Sequence, residues 1–287
     1  MIALRFTRRL LLTLVLSLTA AGALAQDKPA APQAYEPQVG QAGKDVVWVP
    51  TPQALVDRMM GLARVTARDY VIDLGSGDGR TVITAAKRGA RALGIEYNPD
   101  MVELSQRNAA KEGVADKARF VKADLFESDF SQATVITMFL LPDINLKLRP
   151  KILDLKPGTR IVSNSFTMGE WKADRTAEAS EKEGCTSYCT AYFWVVPAKV
   201  GGTWQLPQGE LALKQEFQMI TGTLKTGDTI TPIANGRLRG SEISFAAGGT
   251  QYSGRVSGNA MEGTTRSGAN SGKWSATRGG AKPAPKG

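Results

Sequence analysis

The sequence predicts an α/β fold followed by a small antiparallel β domain. Three observations carry this expectation. Between residues 51 and 166, short apolar strands alternate with segments of helical periodicity. A glycine-rich loop, Gly75-Ser76-Gly77-Asp78-Gly79, lies between the first strand and the helix after it. Beyond residue 200 the helical periodicity stops, and 17 of the 30 glycines fall there. Strands alternating with helices at this spacing imply right-handed crossovers and a parallel, doubly wound sheet.

Each element has a local reason. Thr51-Pro52 starts a helix, with Thr as N-cap and Pro at the first helical position. Leu55, Val56, Met59, Met60, Leu62 and Ala63 then recur at helical spacing. Residues 70–74 form a short apolar strand, and the helix over 80–88 stops at Gly89. Residues 92–97 are a second strand. Asn98-Pro99 caps a helix that reaches Glu112 and stops at Gly113. Residues 119–123 and 134–140 are the third and fourth strands, 145–155 a helix ended by Lys156-Pro157-Gly158, and 160–166 the fifth strand. In the last part, strands are expected over 211–224, 229–233, 236–245, 250–256 and 260–264. Turn signals at Thr226-Gly227-Asp228, Asn235-Gly236, Ala247-Gly248-Gly249 and Ser257-Gly258-Asn259 separate them. This reads as an antiparallel meander that could close into a barrel.

Composition narrows the chemistry. The 287 residues include no His and two Cys. That excludes Ser-His-Asp and Cys-His catalytic units, and zinc sites built on His or on four Cys; no metal is expected. Arg5, Arg8 and Arg9, an apolar run over 10–18 and Ala23-Leu24-Ala25 read as a signal peptide, residues 1–25. An uncleaved anchor is the alternative, but the run is short for a span of ~20 residues. The body is then periplasmic or secreted, with no stable membrane span after cleavage. Residues 26–44, rich in Pro, Ala and Gln, read as a disordered tether. Residues 26–200 hold 23 bases and 22 acids, whereas 201–287 hold 10 bases and 5 acids. A domain over 45–200, a basic β domain over 201–279 and a disordered tail over 280–287 follow.

The glycine loop lies where a nucleotide-binding loop belongs, since glycines let the backbone turn and approach a ligand closely. Glu96, at the end of the second strand, stands where such sheets hold ribose hydroxyls. Asp73, two residues before the first glycine, would repel a pyrophosphate but suits a ligand with an ammonium group. The third glycine of the dinucleotide fingerprint is replaced by Arg80. The loop therefore points away from NAD and toward S-adenosylmethionine.

At these residues the sequence resembles a family. Asp73-Leu74-Gly75-Ser76-Gly77-Asp78-Gly79 looks like the first motif of class I S-adenosylmethionine-dependent methyltransferases. Trp48-Val49-Pro50-Thr51-Pro52, Gly94-Ile95-Glu96-Tyr97-Asn98-Pro99 and Phe139-Leu140-Leu141-Pro142-Asp143-Ile144-Asn145-Leu146 resemble one subgroup. That subgroup comprises small lysine methyltransferases related to the mitochondrial enzymes acting on the ATP synthase c-subunit and the adenine nucleotide translocase. The resemblance implies a Rossmann-like seven-stranded methyltransferase sheet with a reversed last strand, its final hairpin made by 175–179 and 190–197. It also implies that Gly75 and Gly77 pass under the methionine and ribose parts of the cofactor, and that Asp73 holds the ammonium group. Glu96 would clasp the ribose, Asp124 the adenine amino group, and Leu125 the ring; Ser76 and Tyr97 belong to the same site. Asp124 and Asp78 could instead cap local turns, and Phe126 and Phe139 could be core. Asp143 and Asn145, just past the fourth strand, are the candidate catalytic residues that steer the acceptor amine. Asp143 could equally be an N-cap. The Asn-Pro-Pro-Tyr motif of base and amide methylation is absent, which argues against those acceptors though not against every nucleic acid substrate; a protein substrate is expected.

The remaining features leave alternatives open. If residues 185–189 were extended, the Cα atoms of Cys185 and Cys189 would lie ~13 Å apart, too far for a disulfide. A bond needs a turn over Thr186-Ser187-Tyr188. The basic β domain could meet an acidic partner or simply be a solvated module. The function is either methyl transfer to a protein lysine or, alternatively, exported binding or scaffolding on a methyltransferase-like fold.

Overall fold

The computed structural model describes residues 35–278. The expected signal peptide, residues 26–34 of the expected tether and the tail expected over 280–287 lie outside them. Among the described residues, no helix is long and apolar enough to cross a membrane.

The first part is a seven-stranded sheet. Its elements are α1 (Gln53–Leu62), β1 (Tyr70–Leu74), α2 (Arg80–Lys87), β2 (Arg91–Glu96), α3 (Pro99–Lys111), β3 (Ala118–Lys122), β4 (Val135–Met138), α4 (Pro142–Leu153), β5 (Arg160–Asn164), β6 (Arg175–Glu178) and β7 (Thr190–Val195). The strand order is β3-β2-β1-β4-β5-β7-β6. Strands β1 to β5 run parallel, and β7 is antiparallel to both β5 and β6. This is the expected sheet with its reversed final hairpin. Alternate residues of the central strands β1, β4 and β5 feed opposite cores. Val71 joins Leu55, Met59, Val82 and Phe193 on one face, while Ile72 joins Met138, Leu148, Ile152 and Trp194 on the other. The order reverses between β1 and β4, which opens a crevice at the strands' C-terminal tips.

Local chemistry corrects three expectations. Thr51 is not the N-cap of α1: Pro52 holds that place, and Thr51 Oγ1 accepts a hydrogen bond from Asn164 Nδ2 at 3.2 Å. Helix α4 begins at Pro142 rather than Asn145, because proline fits a first turn whose N–H needs no partner. Residues 35–44, expected as the end of a disordered tether, are folded. Gly40 N donates to Trp48 O at 2.8 Å, Trp48 N donates to Gln41 O at 2.9 Å, and Ala42 bridges Val47.

The second part is a closed eight-stranded antiparallel barrel. Its strands are β8 (Gly202–Leu206), β9 (Gly209–Glu216), β10 (Met219–Thr226), β11 (Thr229–Arg239), β12 (Glu242–Ala247), β13 (Thr250–Ser257), β14 (Ala260–Ser267) and β15 (Asn270–Arg278). Trp204, Leu211, Leu238, Phe245, Tyr252 and Trp274 are among the side chains that fill it, with Phe245 stacked on Tyr252 at 4.7 Å. The strand expected over 211–224 is two strands. They are joined at Phe217-Gln218, where Phe217 takes φ 51° without any glycine. The turn expected at Asn235-Gly236 is a bulge within β11, and the chain reverses at Gly240-Ser241 instead.

Phe217 also joins the barrel to the sheet. Its ring stacks on Trp171 with centroids 6.1 Å apart, and Gln218 Nε2 donates to Lys172 O at 2.8 Å. Arg237 pairs with Asp174 at 2.6 Å, and Ala198 N donates to Gly240 O at 2.8 Å.

Candidate active site

A cavity of about 490 Å³ lies over the tips of β1, β2 and β4. The loop after β1 forms its floor. Gly75, Gly77 and Gly79 all have positive φ, which L side chains resist. At Gly77 space adds to conformation, since a Cβ there would come within 2.6 Å of the Trp48 indole nitrogen. The loop is held from several sides. Gly75 N and Ser76 N both donate to Ile95 O, Ser105 Oγ of α3 donates to Gly77 O at 2.8 Å, and Asn108 Nδ2 donates to Asp78 O at 2.9 Å.

Carboxylates gather on one side. Asp73 is buried, and its Oδ1 accepts from Thr137 Oγ1 at 2.6 Å. Among the described residues no base pairs with it. Burial pushes its pKa up to about 7, against the Thr137 hydrogen bond and with help from the charges of Glu96 and Asp78. Glu96 Oε2 accepts from Gly77 N and Oε1 from Asn98 N, both at 2.9 Å. Each oxygen keeps a lone pair for a ligand. Asp124 Oδ1 accepts from Phe126 N at 2.9 Å, so it caps its turn, and Oδ2 pairs with Lys44. The Lys44 hydrogen bond holds the Asp124 pKa below the usual carboxylate range. Asp78 is engaged by Arg80, whose Nε donates at 3.0 Å.

All eight expected cofactor positions line this cavity: Asp73, Gly75, Ser76, Gly77, Glu96, Tyr97, Asp124 and Leu125. The two expected catalytic residues do not. Asp143 lies exposed in the first turn of α4 rather than at its N-cap, because the helix starts at Pro142. Asn145 is fully buried, and its Nδ2 faces Ser163 Oγ, Phe166 O and Thr167 O at 3.3 Å each. Its Nδ2 braces the segment after β5, while its Oδ1 is buried without a hydrogen-bond partner among the described residues. Sequence reasoning missed Trp48 over the loop, Lys44 beside Asp124 and Tyr97, and Phe166 and Tyr188 at the far wall; Phe139, for which a core position was the alternative, also lines the cavity. Their only sequence signal is position: ahead of α1 for Lys44 and Trp48, after a strand for Phe139 and Phe166, and between the two cysteines for Tyr188. Those cysteines are bonded, with Cα atoms 5.8 Å apart, around the turn that a bond required.

The residues present fit S-adenosylmethionine. The lining carries Asp45, Asp73, Asp78, Glu96 and Asp124 against Lys44 and Arg80, both of which already face carboxylates. Such a lining favours a cation. Among the described residues, Asp73 lacks a counter-ion. A ligand bearing an ammonium group would satisfy what the protein leaves open.

Residues 73–175 match the family model of the ANTKMT methyltransferase domain. The chain is 42% identical over 154 residues to a protein-lysine N-methyltransferase of Saccharolobus islandicus, covering 53% of this chain and 94% of that one. It is 33% identical over 156 residues to the human ATP synthase c-subunit lysine N-methyltransferase, covering 49% of this chain and 66% of that protein. Among solved structures, an RNA methyltransferase from Salinibacter ruber in complex with S-adenosyl-L-homocysteine is 49% identical, over 53% of this chain and 96% of that chain, with a TM-score of 0.49. With its glycine loop and acidic strand tips, the chain belongs to the family of the protein-lysine N-methyltransferases and is an S-adenosylmethionine-dependent methyltransferase.

Proposed function

We propose that this protein transfers a methyl group from S-adenosylmethionine to a lysine side chain of a protein substrate. The observation that carries the reading is one cavity over the glycine loop, bounded by Asp73, Glu96 and Asp124, on a chain 42% identical to a protein-lysine N-methyltransferase. Asp73 would hold the cofactor's ammonium group. Glu96, fixed by two backbone donors, would accept from the ribose hydroxyls. Asp124 would accept from the adenine amino group, which requires Lys44 to share or yield its carboxylate, and Leu125 would pack against the ring.

The bound cofactor supplies an electrophilic methyl group on a positively charged sulfur, so the chain needs no activated nucleophile. The absence of histidine is consistent with this. The protein's own contribution is to orient the two reactants and to exclude water. An amine entering a dry pocket loses its proton more readily, because burial disfavours the charged form. Incubation with labelled cofactor and poly-L-lysine, followed by mass spectrometry of the hydrolysate, should find Nε-methyl-lysine. Cofactor binding without any methyl-lysine would contradict the lysine assignment.

We also propose that the chain works outside the cytoplasm. Arg5, Arg8 and Arg9, the apolar run over 10–18 and Ala23-Leu24-Ala25 support export, and the Cys185–Cys189 bond suits an oxidising compartment. Residues 1–30 fused to a reporter active only after export should give signal, and a silent fusion would contradict the assignment.

A further inference from the structure

We propose that Phe139, Phe166 and Tyr188 form the wall on which the acceptor's alkyl-ammonium side chain docks, and that the Cys185–Cys189 bond holds Tyr188 in that wall. This assignment rests on the lysine reading and deepens it.

The three rings form a closed triangle. Their centroids are 6.0 Å apart for Phe139–Phe166, 5.2 Å for Phe139–Tyr188 and 6.2 Å for Phe166–Tyr188. All three line the cavity. The remaining lining residues of α4 and the segment before it, Met138, Leu140, Leu141 and Ile144, bring no charge. The cavity is thus acidic around the cofactor loop and aromatic at the other wall. Ring faces attract an ammonium group, while their apolar surface seats the alkyl chain and sheds water.

Each ring is fixed by a separate device. Phe139 follows β4 directly. Phe166 sits after Ser165, a non-glycine residue at φ 58°, and its carbonyl faces Asn145 Nδ2. Strained backbone of this kind persists where the surroundings over-determine it, and it concentrates at functional sites. Tyr188 also has positive φ, at 55°, yet it is 46% exposed, and its ring packs on one side only, against Phe139 and Phe166. What constrains it is covalent. Cys185 is buried in the core on one face of the sheet, and its bond to Cys189 closes a five-residue ring around Tyr188. The preceding turn is held as well. Ser180 and Glu183 cap each other, Glu183 pairs with Arg58 of α1 at 2.5 Å, and Ala179 N donates to Cys189 O at 3.0 Å.

The test is steady-state methylation of poly-L-lysine by the full chain, with S-adenosylmethionine binding measured separately by calorimetry. Tyr188→Ala and Phe166→Ala are each expected to raise the KM for poly-L-lysine about five- to thirty-fold, while the cofactor Kd stays within about two-fold of wild type. Tyr188→Phe keeps the ring and should restore most of the lost affinity. Cys185→Ser combined with Cys189→Ser should reproduce the KM rise with far-ultraviolet circular dichroism unchanged. A folded Tyr188→Ala variant with wild-type KM and turnover would overturn the wall. A folded double serine variant with wild-type KM would overturn the role of the bond. Wild-type protein that binds cofactor but leaves poly-L-lysine unmodified would instead overturn the lysine reading on which the proposal rests.

Discussion

Asp73 stands at the tip of β1 with Thr137 as its hydrogen-bond donor and a pKa near 7. The folded value lies above the ordinary 3.8, so the folded, cofactor-free chain holds this proton more tightly than the unfolded chain. Stability from this site is therefore complete below about pH 3.8 and is lost as pH rises through about 7. Asp73→Asn should gain Tm relative to wild type between pH 5 and pH 8 in the absence of cofactor, and that gain should vanish when cofactor is saturating. A Tm difference that does not change with pH would contradict the assignment. Glu96→Gln keeps the shape but loses the charge. It should weaken cofactor binding about ten-fold or more, as expected for a hydrogen bond to a charged group. These acids were legible in the sequence because strand tips in a doubly wound sheet have fixed roles. Asp143 and Asn145 were not, because the start of α4 decides which way they face, and Pro142 moved that start by three residues. Phe166 and Tyr188 were invisible for another reason: no local pattern brings the end of β5 beside a disulfide loop.

Among the elements, α3 does more than cross between strands. Ser105 Oγ donates to Gly77 O, and a Cβ on Gly79 would lie 2.9 Å from Ser105 Cβ, so helix and glycine loop are closely fitted. Ser105→Ala removes a buried hydroxyl whose one hydrogen is shared between Gly77 O at 2.8 Å and Met101 O at 2.7 Å. It should lower unfolding free energy by about 1–3 kcal/mol and weaken cofactor binding, as read by urea denaturation and calorimetry. The β-α-β units were legible because their periodicity changes where the structure changes. The barrel was legible only in outline. Residues 211–224 carry no glycine or asparagine at the point of reversal, and Phe217 takes the left-handed conformation that the turn demands. Conversely, Asn235-Gly236 offers a turn signal that β11 absorbs as a bulge, because pairing with β10 and β12 continues on either side of it.

At the scale of the molecule, the irregular turn and the irregular residue are the same feature. Phe217 closes the β9–β10 hairpin and stacks on Trp171 of the sheet domain, with Gln218 bonded to Lys172 O beside it. Phe217→Ala should cost about 2 kcal/mol and separate the thermal unfolding of barrel and sheet into two calorimetric transitions. A single transition at unchanged Tm would show that the two parts are coupled elsewhere. The barrel's basic character is partly spent inside the chain, since Arg237 faces Asp174, Arg255 faces Glu242, and Arg278 lies over Trp204. The two-domain division was legible from the change in glycine and charge near residue 200, whereas the stacking that joins the parts was not, because it depends on one side chain in an unmarked turn.

Everything proposed for the site requires that the cavity over the glycine loop bind S-adenosylmethionine through Asp73. Calorimetric titration of the full chain near pH 6, in two buffers of different ionisation enthalpy, decides this. Saturable 1:1 binding is expected, with release of a fraction of a proton, since Asp73 is largely protonated there before the ammonium group arrives. That release should disappear in Asp73→Asn. No saturable heat up to about 1 mM cofactor, a concentration matching the weakest affinity such a site should show, would contradict it.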